Sequence, residues 1–454
     1  MSSSSGKGGL DSRSRQTALD WARRSKNRQN EFPSPNPVRA PRASAPDFST
    51  LPGFQQMKLQ KAAADLLGIE NPFFKTHDQR AGPTAVIDGK EFLNFASYDY
   101  LGLNGHPAVI QAAKDAADRY GMSASASRIV SGERKIHGEL EQKLAALHEA
   151  ESAVVFVSGH ATNVSTIGHI LQKDDLIVHD AYIHNSIVTG AKLSGAVRQA
   201  FQHNDLDSLE TILKERAGNH GKILIVVEGV YSMDGDMATL PSIIELKEKY
   251  GAWLMVDEAH SIGILGETGR GIAEHYGVDP SRVDNWMGTL SKTLASCGGY
   301  IAGKRDLIDF LKFTASGFVF SVGLSPALAA SASTALDVMQ AEPERVQRAQ
   351  QNGNYFLRAA TGVGLDVGVS QGHAIVPLMI GDSLKATVLA SRLSEEGVNV
   401  LPIIFPAVPE KSARLRYFIT SEHTEIQIDN AINAFERVAL DFEANPVSLN
   451  QLTR

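Results

Sequence analysis

One lysine, Lys292, stands in the segment GTLSKTLASCGG (288–299), between two hydroxyl residues and a pair of glycines. An acidic segment, VDEAHS (256–261), precedes it in the chain. A lysine amine can form an imine with an aldehyde cofactor when burial and neighbouring charge lower its pKa. A carboxylate that keeps a pyridine ring protonated makes that ring an electron acceptor. Together the two segments predict a site for pyridoxal 5'-phosphate, with Thr289 and Ser291 beside the phosphate.

Asp257 follows the apolar run WLMV and precedes Lys292 by 35 residues, which leaves room for a helix and a strand between them. A carboxylate about 4 Å from a pyridinium nitrogen favours the protonated ring by roughly 4 kcal/mol at an effective dielectric constant of 20. His260 is predicted to contact the phenolic oxygen of the same ring. A DEAH string also occurs in helicases, but the sequence contains no GxxxxGKS or GxxxxGKT phosphate loop, which excludes that alternative.

Three further segments place polar residues after predicted strands. The segment SGHATN (158–163) begins a helix, and backbone amides at a helix N-terminus bind phosphate. His184 is predicted either to stack on the cofactor ring or to fill the core, and the sequence leaves both open. The segment EGVYSMDGD (228–236) follows another strand. The cofactor contacts assigned to these segments are Ser158, Gly159, His160, His184, Glu228 and Ser232, and no metal ligand is assigned.

Composition limits the classes of function. A chain of 454 residues with 43% hydrophobic residues suffices for about two or three folding units. The formal net charge of −7 argues against a nucleic-acid partner. One cysteine, Cys297, excludes an internal disulfide and is predicted to be a small buried filler. No apolar run reaches the roughly 18 residues of a membrane span and no secretory signal is present, so a cytoplasmic location is predicted.

The first 50 residues (1–50) are rich in Ser, Pro and Arg and poor in core residues, which predicts a disordered tail. They contain nine basic and four acidic residues, a net charge of +5. Leu19, Trp21 and Ala22 lie among arginines and would suit one or two amphipathic turns. Two hypotheses stay open: a solvated tail without a partner, or a tail that contacts an acidic carrier protein or the periphery of an anionic inner membrane.

The hydrophobic pattern predicts an α/β fold. Residues 84–103 indicate a hairpin with its turn at Asp88 and Gly89. From about residue 153 to 310, short apolar runs alternate with helical segments, and strands are predicted at 153–158, 176–180, 222–230, 253–258 and 285–290. Continuous apolar strands separated by helices are typical of a mostly parallel sheet that is buried on both faces. Ligands bind beyond the carboxyl ends of such strands, where the polar residues described above fall.

Four regions are predicted along the chain. The tail is followed by an N-terminal segment of a helix and a hairpin (51–104) that packs on the small domain. The large domain (105–344) contains the parallel sheet and the cofactor site. A smaller α+β domain (345–454) closes the chain with the segments HAIVPLMIG and ARLRYFIT and a final helix.

In this order, the segments resemble the α-oxoamine synthases, pyridoxal-phosphate enzymes of the aspartate-aminotransferase fold (PLP fold type I). The likeness covers about residues 70 to 440. SYDYLGL (97–103), EGVYSMDGD, VDEAHSIG, GTLSK and RYFITSEHT (416–424) are most similar to bacterial serine palmitoyltransferases. The 8-amino-7-oxononanoate synthases more often show DDAHG and GK where this chain has DEAHS and SK.

The resemblance implies a role for each matching residue. Lys292 would form the imine, Asp257 would hold the pyridine nitrogen, and His260 would contact the phenolic oxygen. His184 would stack on the ring and help position the substrate carboxylate. The residues that the resemblance assigns to catalysis are Lys292, His184, Asp257 and His260.

The resemblance also implies substrate contacts. Arg416 would bind the amino-acid carboxylate, a task that suits a bidentate guanidinium, and Arg414 is the competing choice on the same strand face. Tyr98 and His184 are the other predicted substrate contacts. In this family the site forms between two subunits of a homodimer, and Ser321, in FVFSVGLSP, would reach the neighbour's phosphate.

The implied reaction is the decarboxylating condensation of L-serine with a long-chain acyl thioester, either acyl-CoA or acyl-carrier protein. The products would be 3-oxosphinganine, CO2 and free thiol, which is the first step of sphingolipid synthesis. Three alternatives stay open. They are the same condensation on glycine or alanine, as in 8-amino-7-oxononanoate synthase or 2-amino-3-oxobutyrate CoA ligase, a plain aminotransferase, and a non-catalytic partner subunit.

Overall fold

The computed structural model describes residues 45–66 and 69–447. Most of the predicted basic tail, including Leu19, Trp21 and Ala22, therefore lies outside the described residues. The chain divides into two units, Met1–Ala62 and Ala63–Arg454. The described part of the first unit contains a short 3-10 helix, Phe48–Thr50, and the start of the first α-helix.

The helices explain how the sheet is covered and where the site residues can lie. In chain order they are α1 Pro52–Leu66, α2 Pro107–Tyr120, α3 Lys135–Leu147, α4 Gly159–Ile170, α5 Asn185–Ser194, α6 Leu206–Arg216, α7 Leu240–Tyr250, α8 Ile272–Tyr276, α9 Arg305–Thr314, α10 Ser316–Val319, α11 Pro326–Ala341, α12 Glu344–Gly362, α13 Ser383–Glu395 and α14 Glu425–Ala444. The C-terminal end of α2 shows the glycine that commonly ends a helix. Gly121 ends α2 with a φ of 77°, a conformation that glycine adopts without strain.

The strands form three sheets. In chain order they are β1 Thr84–Ile87, β2 Lys90–Asn94, β3 Ser152–Phe156, β4 Leu176–Asp180, β5 Val197–Phe201, β6 Ile223–Glu228, β7 Trp253–Asp257, β8 Asn285–Thr289, β9 Gly299–Gly303, β10 Ile375–Gly381, β11 Val398–Asn399, β12 Leu401–Ile403 and β13 Ala413–Phe418. The central sheet has seven strands in the order β3-β9-β8-β7-β6-β4-β5. In this sheet β9 runs in the direction opposite to the other six strands. The predicted α/β class and mostly parallel sheet are confirmed.

The central strands are apolar throughout because both faces of the sheet are covered. Along β6, Ile225 and Val227 pack into one hydrophobic cluster, whereas Leu224 and Val226 pack into the cluster on the opposite face. All six residues of β6 are buried. Full burial of one such aliphatic side chain contributes roughly 1.5–3 kcal/mol, so the continuous apolar runs specify this double-sided packing.

The C-terminal region contains the antiparallel sheet β10-β13-β12. Its own hydrophobic cluster includes residues of α12, α13 and α14. The predicted hairpin is formed by β1 and β2, with positive φ angles of 49° at Asp88 and 75° at Gly89. Strand β2 also pairs in parallel with β11. The domain boundaries at residues 104 and 344 stay predictions.

Within the part of the chain that the structure describes, every helix is too short or too polar to cross a lipid bilayer.

Candidate active site

Two carboxylates lie side by side where strands of the central sheet end. Asp257 is the last residue of β7, and it stands opposite Glu228, the last residue of β6. Asp257 Oδ2 accepts a hydrogen bond from Asn163 Nδ2 at 2.9 Å, and its Oδ1 accepts one from the backbone N–H of Ala259 at 3.0 Å. These two bonds hold the buried carboxylate of Asp257 in one orientation.

The neighbouring carboxyl group of Glu228 is buried beside Asp257. Burial raises the pKa of its carboxyl well above the usual range, and the adjacent Asp257 carboxylate raises it further. Two buried carboxylates at adjacent strand ends disfavour double ionisation. Glu228 instead accepts a hydrogen bond from the backbone N–H of His184 at 2.7 Å, which fixes the start of α5 beside the strand ends.

Lys292, His260 and Tyr100 form a hydrogen-bonded chain. Lys292 Nζ lies 2.9 Å from His260 Nε2, and His260 Nδ1 lies 2.7 Å from the hydroxyl of Tyr100. Burial lowers the pKa of the lysine amine to about 8, partly opposed by the carboxylates of Asp257 and Glu228. With this pKa about a tenth of the amine is uncharged at pH 7, a far larger share than for an ordinary lysine, and this share can act as a nucleophile and base.

His260 itself is kept neutral. Burial lowers the pKa of its imidazole well below the usual range, and the nearby cations Lys292 and Arg416 lower it further. A neutral imidazole has one donor and one acceptor nitrogen. His260 can therefore donate a hydrogen bond to one of its two partners, Tyr100 and Lys292, and accept one from the other.

Lys292 borders a cavity of about 340 Å³ whose lining comes mainly from two segments, with Asn94 and residues 96–99 from one and Ser291, Lys292, Ala295 and Ser296 from the other. Tyr98 forms part of its wall, and Lys292 Nζ lies 5.8 Å from the centre of the Tyr98 ring. The edge contact between Tyr98 and Phe418, with 4.6 Å between ring centres, holds the tyrosine in place. The structure therefore brings the predicted Tyr98 next to the candidate catalytic lysine.

The N-terminus of α4 meets the end of β8. Ser158 caps the helix by accepting a hydrogen bond from the N–H of Ala161 at 3.4 Å. A Cβ atom at Gly159 would lie 3.0 Å from Thr289 Oγ1, so only glycine allows this approach without displacement. Thr289 in turn accepts a hydrogen bond from the N–H of Ser291 at 3.2 Å. Helix amides and hydroxyls thus converge in the arrangement that binds a phosphate.

Two histidines stand near this convergence. His184 Nδ1 lies 2.7 Å from the hydroxyl of Ser186, and the ring of His184 remains exposed. The ring centre of His160 lies 6.5 Å from that of His184. Because His184 is exposed, it does not fill the core, and its stacking on the cofactor ring stays a prediction.

The two arginines of β13 have different partners. Arg414 is buried and forms an ion pair with Asp234, with 2.5 Å between Nη1 and Oδ1. Arg416 donates from Nη1 to the carbonyl of Ser232 at 2.9 Å, while its buried Nε has no hydrogen-bond partner among the described residues. The charge of Arg414 is therefore neutralised inside the protein, whereas Arg416 keeps donors for a ligand.

The cofactor contacts predicted for Ser232 and Ser321 stay predictions. The main-chain carbonyl of Ser232 accepts a hydrogen bond from Arg416. Ser321 lies in the loop between α10 and α11 and is not part of the wall of the Lys292 cavity. The prediction that Cys297 is buried was wrong, because it is exposed in the turn before β9. Because Cys297 lies in a loop, no helical or strand periodicity in the sequence indicates whether its side chain is buried.

Two polar residues of the site were not singled out from the sequence. Asn163 donates to both Asp257 and Ser186, each at 2.9 Å, and Tyr100 holds His260. The signal for Asn163 was present, since it follows Gly159 by four residues on a predicted helix and so lies on the same face. Tyr100 stands in an irregular segment, where no periodicity indicates which side chain points inward.

These residues fit pyridoxal 5'-phosphate. The cofactor needs an amine for its aldehyde, an acid for its ring nitrogen and a cradle for its phosphate. Lys292 supplies the amine, and the fixed carboxylate of Asp257 supplies the acid. The close approach of Gly159 to Thr289 supplies the cradle, which a Cβ atom would obstruct.

Comparisons with known proteins agree with this site. The family model for aminotransferase class I and II matches residues 90–435. The 8-amino-7-oxononanoate synthase of Symbiobacterium thermophilum is 43% identical over 356 residues, which cover 78% of this chain and 90% of the relative. The 8-amino-7-oxononanoate synthase 1 of Bacillus subtilis is 39% identical over 369 residues, which cover 81% of this chain and 93% of the relative.

Solved structures are similar over most of the fold. Serine palmitoyltransferase from Sphingomonas wittichii superposes with a TM-score of 0.83 at 29% identity, covering 88% of this chain and 100% of that one. A structure of SPT with PLP internal aldimine superposes with a TM-score of 0.82, also at 29% identity and with the same coverage.

These comparisons overturn the predicted function. The prediction of a sphingolipid-forming serine palmitoyltransferase was wrong, because curated relatives at 43% and 39% identity are 8-amino-7-oxononanoate synthases, whereas the serine palmitoyltransferase structures are 29% identical. The quoted motifs surround the cofactor, whose chemistry the family members share, so small differences among them do not report the substrate. The family match, the relatives and the site together establish that the chain belongs to the class I and II aminotransferase family and, within it, to the α-oxoamine synthases, which are pyridoxal-phosphate-dependent acyltransferases.

Proposed function

We propose that this protein is an 8-amino-7-oxononanoate synthase. The observation that carries the proposal is the identity of 39–43% to curated synthases of that name, over about four fifths of the chain, combined with a complete candidate site. This activity is the alternative with alanine as the amino acid that the sequence left open.

The product's structure defines the substrates. A nine-carbon acid with an oxo group at carbon 7 and an amino group at carbon 8 divides into a seven-carbon acyl unit and a two-carbon amine. The acyl unit carries a terminal carboxylate, so the donor is a heptanedioyl thioester of CoA or of a carrier protein. The two-carbon amine is alanine without its carboxylate. Alanine and the thioester therefore give the product, CO2 and a free thiol.

The side chains of the site divide the work. Bound pyridoxal phosphate supplies an electron-accepting ring at the carbon that loses a proton and then forms the new bond. Asp257 keeps the ring nitrogen protonated, because Asn163 and the Ala259 N–H hold its carboxylate at the sheet edge. Lys292 Nζ, with a pKa of about 8, removes the proton from the α-carbon of alanine.

Other residues bind and orient. Arg416 binds the alanine carboxylate through the guanidinium donors that the protein leaves unpaired. His184 would cover one face of the ring, and neutral His260 would contact its phenolic oxygen, because Tyr100 fixes the imidazole. The N-terminal turn of α4 would hold the phosphate through Ser158, Gly159 and His160, together with Thr289 and Ser291.

The proposal includes a homodimer. Ser321 belongs to a loop whose neighbours are anchored to another loop of the large sheet region, since Ser127 donates to the carbonyl of Val319 at 2.6 Å and Gly323 donates to that of Ala126 at 3.0 Å. A loop anchored on both sides of the half-buried Ser321 suits delivery of a hydroxyl to the phosphate of a second subunit.

The test is a substrate panel on purified holoenzyme. L-alanine, glycine and L-serine are each supplied with heptanedioyl-CoA and with a palmitoyl thioester, and products are identified by mass. We expect 8-amino-7-oxononanoate from L-alanine, with kcat/KM at least about tenfold above glycine and L-serine, because one methyl group or hydroxyl in a fitted pocket changes discrimination by roughly 10- to 200-fold. Lys292→Ala should form no product. Preferred turnover of another amino acid, or of the palmitoyl donor, would contradict the proposal.

A further inference from the structure

A second cavity, of about 620 Å³, is bordered by three arginines, Arg80, Arg345 and Arg348. Among the described residues that line it, Glu422 is the only acid. The lining therefore has an excess of positive charge. Cavities of this kind attract anions, and guanidinium groups bind carboxylates and phosphates in a bidentate manner.

The three arginines are satisfied to different degrees. Arg345 is held by Glu342, with 2.6 Å between Nε and Oε2, and is therefore largely neutralised. Arg80 meets Glu422 at 3.4 Å, which is a long contact that an incoming anion can replace. Arg348 is exposed and forms no hydrogen bond or ion pair with another described residue.

A buried hydroxyl borders the same cavity. Ser421 is 4% exposed, and its Oγ has no hydrogen-bond partner among the described residues. A buried polar atom without a partner costs roughly 1–3 kcal/mol, so a ligand that accepts or donates there recovers that loss. The unpaired serine and the under-neutralised arginines point to the same kind of ligand.

This cavity lies next to the cavity of Lys292, because consecutive residues of one segment border the two. Ala81 borders the Lys292 cavity, while its neighbours Arg80 and Gly82 border the arginine-lined one. The N–H of Ser421 donates to the carbonyl of Tyr100 at 2.7 Å, and Tyr100 is the residue that holds His260. A substrate that reaches Lys292 from outside can therefore place another of its groups among the arginines.

We propose that the arginine-lined cavity binds an anionic group of the acyl thioester donor. The inference rests on the proposed function, which requires a donor with two sources of anionic oxygen. These are the phosphates of its pantetheine carrier and the terminal carboxylate of its acyl chain. Arg348 and Arg80 bind this group, Ser421 adds a hydrogen bond, and Glu422 competes for Arg80.

The experiment measures kinetic constants of holoenzyme variants with three donors. Heptanedioyl-CoA carries both anions, heptanoyl-CoA lacks the terminal carboxylate, and heptanedioyl-pantetheine lacks the phosphates. We expect Arg348→Ala to raise KM for heptanedioyl-CoA by about tenfold, equivalent to 1.4 kcal/mol, with kcat and the KM for L-alanine within about twofold of wild type. The effect should disappear with the donor that lacks the bound anion, which identifies its source.

Two further variants separate binding from a structural role. Arg358→Ala removes an exposed arginine ten residues along the same helix, α12, and should leave all constants unchanged. Glu422→Gln removes the competitor of Arg80 and should lower KM for the donor by about two- to threefold. A merely structural cavity would not give effects of opposite sign for the two charge changes.

Failure of this inference differs from failure of the proposed function. If wild type forms 8-amino-7-oxononanoate and both Arg348→Ala and Arg80→Ala keep the wild-type KM for every donor, the cavity does not bind the donor. If wild type forms no such product, calorimetric titration of CoA and of heptanedioate into holoenzyme still decides the binding site. Weaker binding of either compound to Arg348→Ala but not to Arg358→Ala supports it, and equal binding to both overturns it.

Discussion

Two histidines of this protein, His260 and His203, lie in loops that follow strands of the same sheet. The ring of His260 is neutral, whereas the ring of His203 is positively charged. His260 is buried between the cation Lys292 and the hydroxyl of Tyr100, and its pKa is well below the usual range. His203 is bracketed by two carboxylates, with Nδ1 2.9 Å from Asp180 and Nε2 2.9 Å from Asp236. Burial by itself would lower its pKa as well, but the two carboxylates outweigh burial and raise it to about 10.

The difference shows what decides the charge of a buried imidazole. Burial acts in the same direction on both rings, so the sign of the neighbours is decisive. The neutral ring of His260 can either donate a hydrogen bond to the candidate catalytic lysine or accept one from it. The charged ring can only donate, and it ties Asp180, at the end of β4, to Asp236, in the loop that also carries Ser232. One histidine therefore serves the chemistry and the other holds together the loops that support it.

The largest effect is expected when the neutral histidine, His260, is replaced. We expect His260→Asn to lower kcat by roughly 100-fold, because loss of one preorganised hydrogen bond to a reacting centre costs about 10²–10³ in rate. The absorbance of the bound cofactor should shift with its phenolic oxygen, while the thermal unfolding midpoint stays within a few degrees of wild type. The measurements are steady-state kinetics and a pH titration of the cofactor spectrum. Unchanged kcat and spectrum would remove His260 from the site chemistry.

A smaller effect is expected at the charged histidine. We expect His203→Gln to lower the free energy of unfolding by about 2 kcal/mol, because a hydrogen bond to a charged group contributes roughly 1.5–3 kcal/mol and the substitution leaves two carboxylates facing each other. Urea unfolding measures this change. The matched control is His220→Gln, because His220 is half-buried and contacts no carboxylate, only the carbonyl of Asp174 at 3.4 Å, and it should have little effect. If His203→Gln altered the pH dependence of kcat without loss of stability, the supporting role assigned to His203 would be wrong.

The smallest expected effect is on the pH dependence of the free energy of unfolding to which His203 contributes. The folded-state pKa of His203 is raised from 6.5 to about 10, so its contribution is fully present below pH 6.5. As the pH rises from 6.5 towards 10, the unfolded chain loses its proton while the folded chain retains it, and the contribution is lost. Unfolding curves between pH 6 and pH 10 should therefore converge for wild type and His203→Gln. Parallel curves would show that neighbouring groups other than His203 account for the trend.

Much of the fold was predictable because its pattern is local. The apolar run of 176–180 coincides with β4, and the turn at Asp88 and Gly89 joins β1 to β2, since burial on both faces and turn chemistry both show in the sequence. Strand β5 was missed because it is an edge strand with only Phe201 buried. Strand β9 was missed because it begins and ends with glycine, a residue that is depleted in strands, and Gly299 packs against α4 at Thr162.

The sequence by itself determined the class of sheet, the hairpin turn at Asp88 and Gly89, and the order of the motifs that place Asp257, Lys292 and their neighbours near strand ends. Only the tertiary structure decided that Asp234 neutralises Arg414 but not Arg416, and that His260 and His203 differ in charge. The physical reason is that periodicity and turn chemistry act between residues close in the chain. A pKa or an ion pair depends instead on groups that the fold brings together from distant positions.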